Sequence, residues 1–180
     1  MRILRDQTAG LVIDIQERLF PFIYGNDILA FNSGILIQGL QSLDIPILVT
    51  EQYTKGLGPT ILPIQQLFEG KQPVEKLAFS CCDEPSFMKN LTDLGKKFIV
   101  ITGIESHVCV LQTAIDLLEL NFIPVIVEDC VSSRRLNDKQ MAIARMRKSG
   151  AIITTYESVL FELLRYSGTG EFKTIPKLVK

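Results

Sequence analysis

The sequence has little of several features from which a function is commonly read. It contains one histidine in 180 residues, and its 19 basic and 20 acidic residues leave a net charge of −1. No Lys/Arg stripe is visible, so nucleic acid is not an expected partner. Charges and prolines interrupt every apolar run, which excludes a bilayer-spanning segment, and the first residues lack the apolar core of a secretory signal. We expect neither nucleic-acid nor membrane binding.

Cysteine is also scarce. The four cysteines show no paired framework spacing, and this usage fits a reducing compartment. Cytoplasmic localisation is therefore the expectation, with an organelle left open. Cys81, Cys82 and Cys130 are interpreted as packing residues, because adjacent cysteines rarely bridge one another and no CxxC pair exists for a metal.

A regular alternation of strand-like and helix-like segments is present instead. The composition, 47% hydrophobic and 22% charged, is that of an ordinary globular domain. Near-continuous apolar strands that alternate with helices indicate a parallel sheet covered on both faces. We predict one domain over residues 1–180, with a three-layer, doubly wound (Rossmann-like) α/β fold and a mainly parallel six-stranded sheet. The predicted strands are Gly10–Asp14, Pro46–Thr50, Phe98–Thr102, Ile123–Val127, Ala151–Thr154 and, more weakly, Gln72–Glu75. The predicted helices are Asp27–Leu43, Ser86–Leu94, Ser106–Leu120, Asp138–Lys148 (capped by Asn137–Asp138) and Tyr156–Leu164.

One long connection, Glu51–Lys71, interrupts this alternation. It contains Tyr53, Gly56 and Gly58, but neither a GxGxxG nor a Walker lysine pattern follows, so it is not a phosphate loop. A long irregular loop in a compact domain is often a lid or a pocket wall. We predict that this loop lies beside the functional site.

Cys109 is the most conspicuous candidate for chemistry. It follows the apolar strand Phe98–Thr102, which Gly103 ends, and it stands one turn into the next helix. A thiol at a helix N-terminus is expected to have a lowered pKa and to be the most reactive of the four. The alternative is that Cys109 is one more small buried hydrophobe.

Two further residues follow other predicted strands. Asp14 ends the first strand, and Lys76 follows the weak strand that ends at Glu75. In open α/β sheets, ligands bind beyond the carboxyl ends of the strands, at the point where the strand order reverses. A doubly wound sheet can bring Asp14, Lys76 and Cys109 to that edge.

These residues lie in segments that resemble the isochorismatase-like cysteine hydrolases, a superfamily that includes isochorismatases, nicotinamidases and N-carbamoylsarcosine amidases. Leu11–Gln16 is similar to the family's apolar-Asp-x-Gln strand end, Glu75–Ser80 to its lysine segment, and Gly103–Val110 to its nucleophile turn. Thr50–Tyr53 and Val127–Asp129 also match. The matches cover nearly the whole chain in order, and the likeness is greatest to the broad isochorismatase-domain proteins rather than to the named enzymes.

The resemblance implies a mechanism. Cys109 would be the nucleophile, Asp14 would accept the thiol proton and later protonate the leaving group, and Lys76 would neutralise and orient Asp14. Backbone N–H groups of the turn formed by Gly103, Ile104 and Cys109 would bind the oxyanion. The family's non-proline cis peptide is expected at Gly103–Ile104.

The resemblance also has departures. Family nicotinamidases bind zinc through an aspartate and histidines in the loop after the second strand, but here that loop has no histidine, and His107 is the only one in the chain. We therefore predict no metal, no other cofactor and a structural role for His107. True isochorismatases can hydrolyse a vinyl ether without the thiol, so Cys109 favours acyl or amide chemistry.

A substrate pocket is predicted beside the three catalytic candidates. The aromatic candidates for its lining are equally well explained as core residues. Arg134 and Arg135 could bind a substrate carboxylate, although a solvated or interface position is favoured. The predicted pocket residues are Phe20, Glu51, Tyr53, Phe79 and Glu105.

Two functions stay open at this point. The first is a cysteine hydrolase that cleaves an amide, carbamoyl or ester-like bond of a small metabolite. The second is a non-catalytic binding, scaffold or redox-sensing protein that retains the family site. A homo-oligomer is also expected, both from the resemblance and from the crowding of apolar residues on the helix Tyr156–Leu164, unless the tail Tyr166–Lys180 covers that helix.

Overall fold

Six parallel strands form the centre of the protein. The structure is a computed structural model that describes residues 1–68, 70, 72–168, 170 and 173–180. Its sheet has the order β3-β2-β1-β4-β5-β6, and every neighbouring pair is parallel. The predicted doubly wound sheet is thereby confirmed. The strands are β1 Thr8–Ile13, β2 Ile47–Gln52, β3 Val74–Lys76, β4 Phe98–Ile104, β5 Ile123–Ser132 and β6 Ile152–Thr154.

Helices cover both faces of this sheet. On one face, apolar side chains of β1 and β2 pack with those of α1, α7 and α8. On the other, the alternate side chains of the same strands pack with those of α4, α5 and α6. All seven residues of β4 are buried, as expected for a strand covered on both sides. The helices are α1 Asn26–Ser42, α2 Thr54–Leu57, α3 Leu62–Gln65, α4 Pro85–Asp93, α5 Leu111–Glu119, α6 Leu136–Ser149, α7 Tyr156–Leu164 and α8 Ile175–Leu178.

The ends of these helices follow local sequence signals. Pro85 opens α4, and the Glu84 carboxylate accepts a hydrogen bond from the Ser86 N–H, which satisfies one of the free donors of the first turn. α6 ends at Ser149 and is capped by Gly150, whose φ of 112° suits a glycine. The predicted cap of α6 at Asn137–Asp138 is wrong, because the helix begins at Leu136 after Arg135, with Asp138 in its first turn.

The long connection after β2 is only partly irregular. It contains α2, α3 and a single 3₁₀ turn, Gln66–Phe68, while Glu69 and Lys71 lie outside the described residues. The Gln16 amide holds the connection near β1, because its Nε2 donates to the carbonyls of Gln52 and Gly58.

The apolar helix α7 is covered within the chain. Val159, Leu160, Leu163 and Leu164 are buried, and only Phe161 is partly exposed, at 38%. α7 packs on α1 and β5, while α8 packs on α1. The crowding of apolar residues on α7 is therefore accounted for by the chain itself, and it no longer argues for an oligomer. None of the described helices is both long enough and apolar enough to cross a membrane.

Candidate active site

The strand order reverses between β1 and β4, and the predicted catalytic residues meet there. Asp14 directly follows β1, Lys76 ends β3, and Cys109 lies in the helical turn Ser106–Val110 after β4. The structure brings all three together at one edge of the sheet. This is the position at which doubly wound folds bind ligands.

Asp14 and Lys76 form a buried ion pair. Lys76 Nζ lies 2.7 Å from Asp14 Oδ2, and both side chains have no exposed surface. Thr50 Oγ1 donates to the other carboxylate oxygen over 2.8 Å. Burial opposes the charge of Lys76, but the charges around it, that of Asp14 foremost, outweigh burial and raise the pKa of Lys76. Lys76 therefore keeps its positive charge beside the carboxylate.

The Lys76 ammonium has no proton left for a substrate. Its three N–H bonds face four protein acceptors: Asp14 Oδ2 and Gln52 Oε1 at 2.7 Å, Phe79 O at 3.1 Å and Ala78 O at 3.2 Å. An ammonium has three donors, so the protein saturates it. Lys76 can act on Asp14 and Cys109 through its charge, but it offers no hydrogen bond to a reacting atom.

Cys109 lies beside this pair and is only 5% exposed. Burial raises the pKa of the Cys109 thiol, and the Asp14 carboxylate raises it further, through its charge and as a hydrogen-bond acceptor. Lys76 opposes both effects without reversing them. The expected low thiol pKa is therefore wrong: the desolvation of a thiolate outweighs the helix N-terminus and Lys76. The resting nucleophile candidate is a protonated thiol with a carboxylate positioned to receive its proton.

The turn before Cys109 differs from the prediction in one bond. The cis peptide is Ile104–Glu105 rather than Gly103–Ile104. β4 continues through both residues, since Gly103 pairs with Val131 and Ile104 with Ser132 of β5, so the turn begins one bond later. Gly103 lies within the strand, where a Cβ would come within 2.3 Å of the Ile13 carbonyl oxygen. The close approach of β1 and β4 therefore requires glycine at this position.

Glu51, one of the predicted pocket residues, points away from the three candidates. The side chain of its neighbour Thr50 contacts Asp14, and successive side chains of a strand point to opposite faces. Glu51 Oε1 instead accepts bonds from the backbone N–H and hydroxyl of Thr60, each over 2.7 Å. It lines a cavity of about 510 Å³ to which none of Asp14, Lys76 and Cys109 contributes.

The aromatic pocket candidates divide into two groups. Phe20 is half-buried against the core under α1 and lies in its own shallow groove. Tyr53 and Phe79 adjoin the lysine through their backbones: the Tyr53 N–H donates to Lys76 O, and Phe79 O accepts from Nζ. Their side chains are 48% and 55% exposed. Leu77, the residue after Lys76, is 74% exposed, and we refer to the exposed apolar side chains of Tyr53, Leu77 and Phe79 together as the apolar rim.

Glu105 and His107 are both occupied by protein partners. Arg134 Nε donates to Glu105 Oε1 over 2.8 Å, and this ion pair ties the cis-peptide turn to the segment after β5. The Arg134 side chain is 61% exposed, which agrees with the solvated interpretation, and its carboxylate partner lies in the chain itself. His107 Nδ1 lies 2.9 Å from Ser133 Oγ, and this contact agrees with a structural role.

The other three thiols lie in the core or at its edge. Cys81 and Cys130 are fully buried, Cys82 is half-buried, and none of the four cysteines is in a disulfide. Burial raises the pKa of Cys81 to about 11. Within the described residues, no three His, Cys, Asp or Glu side chains are grouped to hold a metal ion.

Two site residues were missed from the sequence. Thr50 and Gln52 both contact the ion pair, although only Glu51 between them was selected. Three consecutive polar residues at the end of an apolar strand, next to the strand that carries Asp14, were the available signal. Strand alternation would then have separated Glu51 from the other two.

The fold and this edge of the sheet define a class before any comparison: doubly wound α/β proteins with a thiol, a carboxylate and an ammonium at the switch point. A model of the isochorismatase domain matches residues 8–158. The chain belongs to the isochorismatase family of hydrolases, and the resemblance drawn from the sequence is confirmed.

Relatives agree over nearly the whole chain. The chain is 36% identical to mouse (Mus musculus) isochorismatase domain-containing protein 2A, over 99% of this chain and 85% of that protein. It is 37% identical to the solved structure of MAR1 ribonuclease from Caenorhabditis elegans, with a TM-score of 0.93 over 99% and 92% of the two chains. It also shares its fold with the Escherichia coli YcaC protein, at a TM-score of 0.91 and 23% identity over 99% and 93% of the two chains; that protein is described as an octameric hydrolase of unknown specificity.

Proposed function

We propose that the protein is a cysteine hydrolase that cleaves an amide, carbamoyl or ester bond of a small metabolite. The observation that carries this proposal is the fully buried Lys76–Asp14 pair, 2.7 Å apart, with the Cys109 thiol close enough for the same carboxylate to raise its pKa. Keeping two charges out of water costs free energy, so a buried ion pair is expected where function requires it. A proton acceptor beside a nucleophile is such a requirement.

The chemical steps follow from this arrangement. Asp14 accepts the thiol proton as Cys109 Sγ attacks the substrate carbonyl carbon, and N–H groups of the turn bind the oxyanion. The C–N or C–O bond then breaks, Asp14 returns the proton to the leaving amine or alcohol, and a thioester remains. Water attacks the thioester with Asp14 as base, which releases the acid and restores the thiol. Lys76 supplies charge and orientation throughout.

The surroundings of the site favour a small, partly apolar substrate. The rim of Tyr53, Leu77 and Phe79 is exposed, and Arg134, which contacts the turn before Cys109, is paired with Glu105. A thiol nucleophile can attack an ester or amide carbonyl, whereas the family's vinyl-ether hydrolysis does not use one. The retained Cys109 therefore supports acyl chemistry.

A related protein suggests a different substrate. The Caenorhabditis elegans relative is described as a ribonuclease. An RNA-binding surface is expected to concentrate Lys and Arg, but the net charge of this chain is −1. We therefore place RNA among the test substrates rather than at the centre of the proposal.

Self-association is part of the same proposal. Phe22, Ile28 and Phe31 are 70%, 67% and 69% exposed, and exposed apolar side chains such as these are available to a partner copy. The fold relative from Escherichia coli is described as an octamer. Light scattering should give a multiple of the 20.2 kDa chain mass, and a monomer at micromolar concentration would contradict this part.

Turnover of a panel of small amides, carbamates and esters, with an RNA oligonucleotide alongside, tests the proposal. Cys109→Ala and Asp14→Asn should each lower the rate by at least about a hundredfold, because each removes a group that acts in the transition state. Cys109→Ala should also abolish the mass increase of an acyl-enzyme seen by intact-protein mass spectrometry.

Cys82→Ala is the matched control, because Cys82 is half-buried and its Sγ lies 4.0 Å from Thr113 O, a group that takes no part in the proposed mechanism. It should leave turnover unchanged. Full activity in Cys109→Ala would overturn the cysteine mechanism, and cleavage of RNA alone would overturn the substrate class. Absence of turnover on every probe, with no acyl-enzyme formed, would favour the non-catalytic alternative.

A further inference from the structure

Gln52 is a polar side chain that no step of the proposed mechanism uses. It ends β2, next to the strand that carries the lysine, and it is 8% exposed. Its backbone is tied to Gln16 at both ends: Gln52 N donates to Gln16 Oε1 over 2.7 Å, and Gln52 O accepts from Gln16 Nε2 over 3.0 Å. These backbone bonds alone fix the position of Gln52 relative to β1, independently of the contacts of its side chain.

The two ends of the Gln52 amide face chemically opposite partners. Oε1 lies 2.7 Å from Lys76 Nζ, and Nε2 lies 2.7 Å from the carbonyl oxygen of Leu77. A carbonyl can only accept and an ammonium can only donate, so a single orientation of the amide satisfies both. The amide is locked between the lysine head group and the apolar rim.

The contact with Lys76 is as short as the one to the carboxylate. Oε1 of Gln52 and Oδ2 of Asp14 are each 2.7 Å from Nζ, while the two backbone acceptors are at 3.1 and 3.2 Å. Two short contacts from different strands define the position of the ammonium. Because the Gln52 oxygen is neutral, the side chains around Nζ keep a net charge of zero.

We propose that Gln52 is a positioning residue that holds the Lys76 ammonium against Asp14 without adding charge, so that Asp14 is free to take the Cys109 proton. This inference rests on the proposed function. The charged and titratable groups that act on the cysteine are Asp14, Lys76 and Cys81, and Gln52 acts on Cys109 only through the first two.

A carboxylate at position 52 tests whether the side chain must be a neutral hydrogen-bond acceptor or only needs to fill space. Gln52→Glu keeps the size of the side chain but places a second anion beside one ammonium, and it removes the donor to Leu77 O. A further negative charge near Cys109 disfavours the thiolate. Gln52→Met removes both hydrogen bonds at similar volume and adds no charge.

Site-mapped alkylation of Cys109 by iodoacetamide, followed from neutral to alkaline pH, is the first measurement. Gln52→Glu should move the alkylation profile to higher pH and lower the rate at neutral pH at least about tenfold, which corresponds to roughly one pKa unit. Gln52→Met should lower kcat for a turned-over probe by a similar factor with KM little changed, while its alkylation profile does not move to higher pH.

Gln38→Glu is the matched control, since Gln38 lies on α1 and its amide bonds only to Gly34 O in an exposed contact. It should match the wild-type protein in both measurements. Coincident alkylation profiles for wild type and Gln52→Glu would overturn the inference. The alkylation result holds even if no substrate turns over, so failure of the proposed function and failure of this inference are distinguishable.

Discussion

Two lysine–aspartate pairs in this protein have nearly the same geometry and opposite surroundings. Lys76 Nζ lies 2.7 Å from Asp14 Oδ2 with both side chains fully buried. Lys89 Nζ lies 2.6 Å from Asp93 Oδ2, one turn apart on α4, with side chains 75% and 62% exposed. The distance alone cannot distinguish a site from a surface contact.

The difference lies in what else each pair contacts. In the buried pair, every proton of the lysine and both carboxylate oxygens have protein partners. In the exposed pair, water is available to hydrogen-bond the remaining lysine protons and carboxylate oxygens. A buried ion pair gains little net stability over apolar residues of the same size, so its presence needs a reason other than folding. We propose that the reason is the adjacent Cys109.

Lys76→Met against Lys89→Met tests this comparison directly. Lys76→Met leaves the Asp14 carboxylate buried without its counter-charge and should lower the free energy of unfolding by about 3–5 kcal/mol. Lys89→Met should change it by no more than about 0.5 kcal/mol, the usual value for an exposed helical pair. Urea denaturation followed by circular dichroism measures both.

The double variant Asp14→Asn/Lys76→Met shows how much of the stability loss in Lys76→Met comes from the unpaired Asp14 charge and how much from lost packing. With both charges removed, part of the loss seen in Lys76→Met should return. If the double variant loses more stability than the two single variants together, or if Lys76→Met costs as little as Lys89→Met, burial does not make Asp14 depend on the charge of Lys76.

Much of the fold could be predicted because its signals are local. Runs such as Phe98–Ile101 are apolar and β-branched, and their alternation with helical spacing was enough for a six-stranded parallel sheet, as observed. Boundaries were less accurate. β4 runs on to Ile104 through a glycine, because its pairing with β5 resumes at Gly103 after a register shift, and no local pattern reveals that shift.

The candidate site was predictable in its members but not in its electrostatics. Asp14, Lys76 and Cys109 follow from their places after three strands together with the family resemblance. The direction of the Cys109 pKa does not follow, because it depends on how many side chains surround the thiol, which is a tertiary property. Gln52 was missed for a similar reason: the role of an amide side chain can be inferred only when the hydrogen-bond partners of its oxygen and its nitrogen are known.

Alkaline pH gives a smaller effect that sharpens the comparison between the buried and exposed regions. Burial is the leading cause of the raised pKa of Cys81, Cys109 and Cys130 above the ordinary value of 9.0. Above pH 9.0 the unfolded chain loses these protons while the folded chain keeps them, so the unfolded state is favoured. The stability is fully present below pH 9.0 and is lost as pH rises, at up to about 1.4 kcal/mol per pH unit for each thiol. Lys76, whose pKa is raised from 10.5, begins to contribute only at still higher pH.

Urea denaturation in the presence of a reducing agent, at steps from neutral pH upwards, measures this loss. The free energy of unfolding should be steady below pH 9.0, the ordinary thiol pKa, and should fall above it. Cys130→Ala should make the fall shallower than in the wild-type protein, because it removes one buried titrating group without touching the ion pair. Lys89→Met, in the exposed region, should leave the slope unchanged over the same range, since the pKa of Lys89 is raised from 10.5. A stability that is flat or rising through this range would mean that the thiols titrate in the folded state as they do in water, and that the edge of the sheet around Cys109 is not dry.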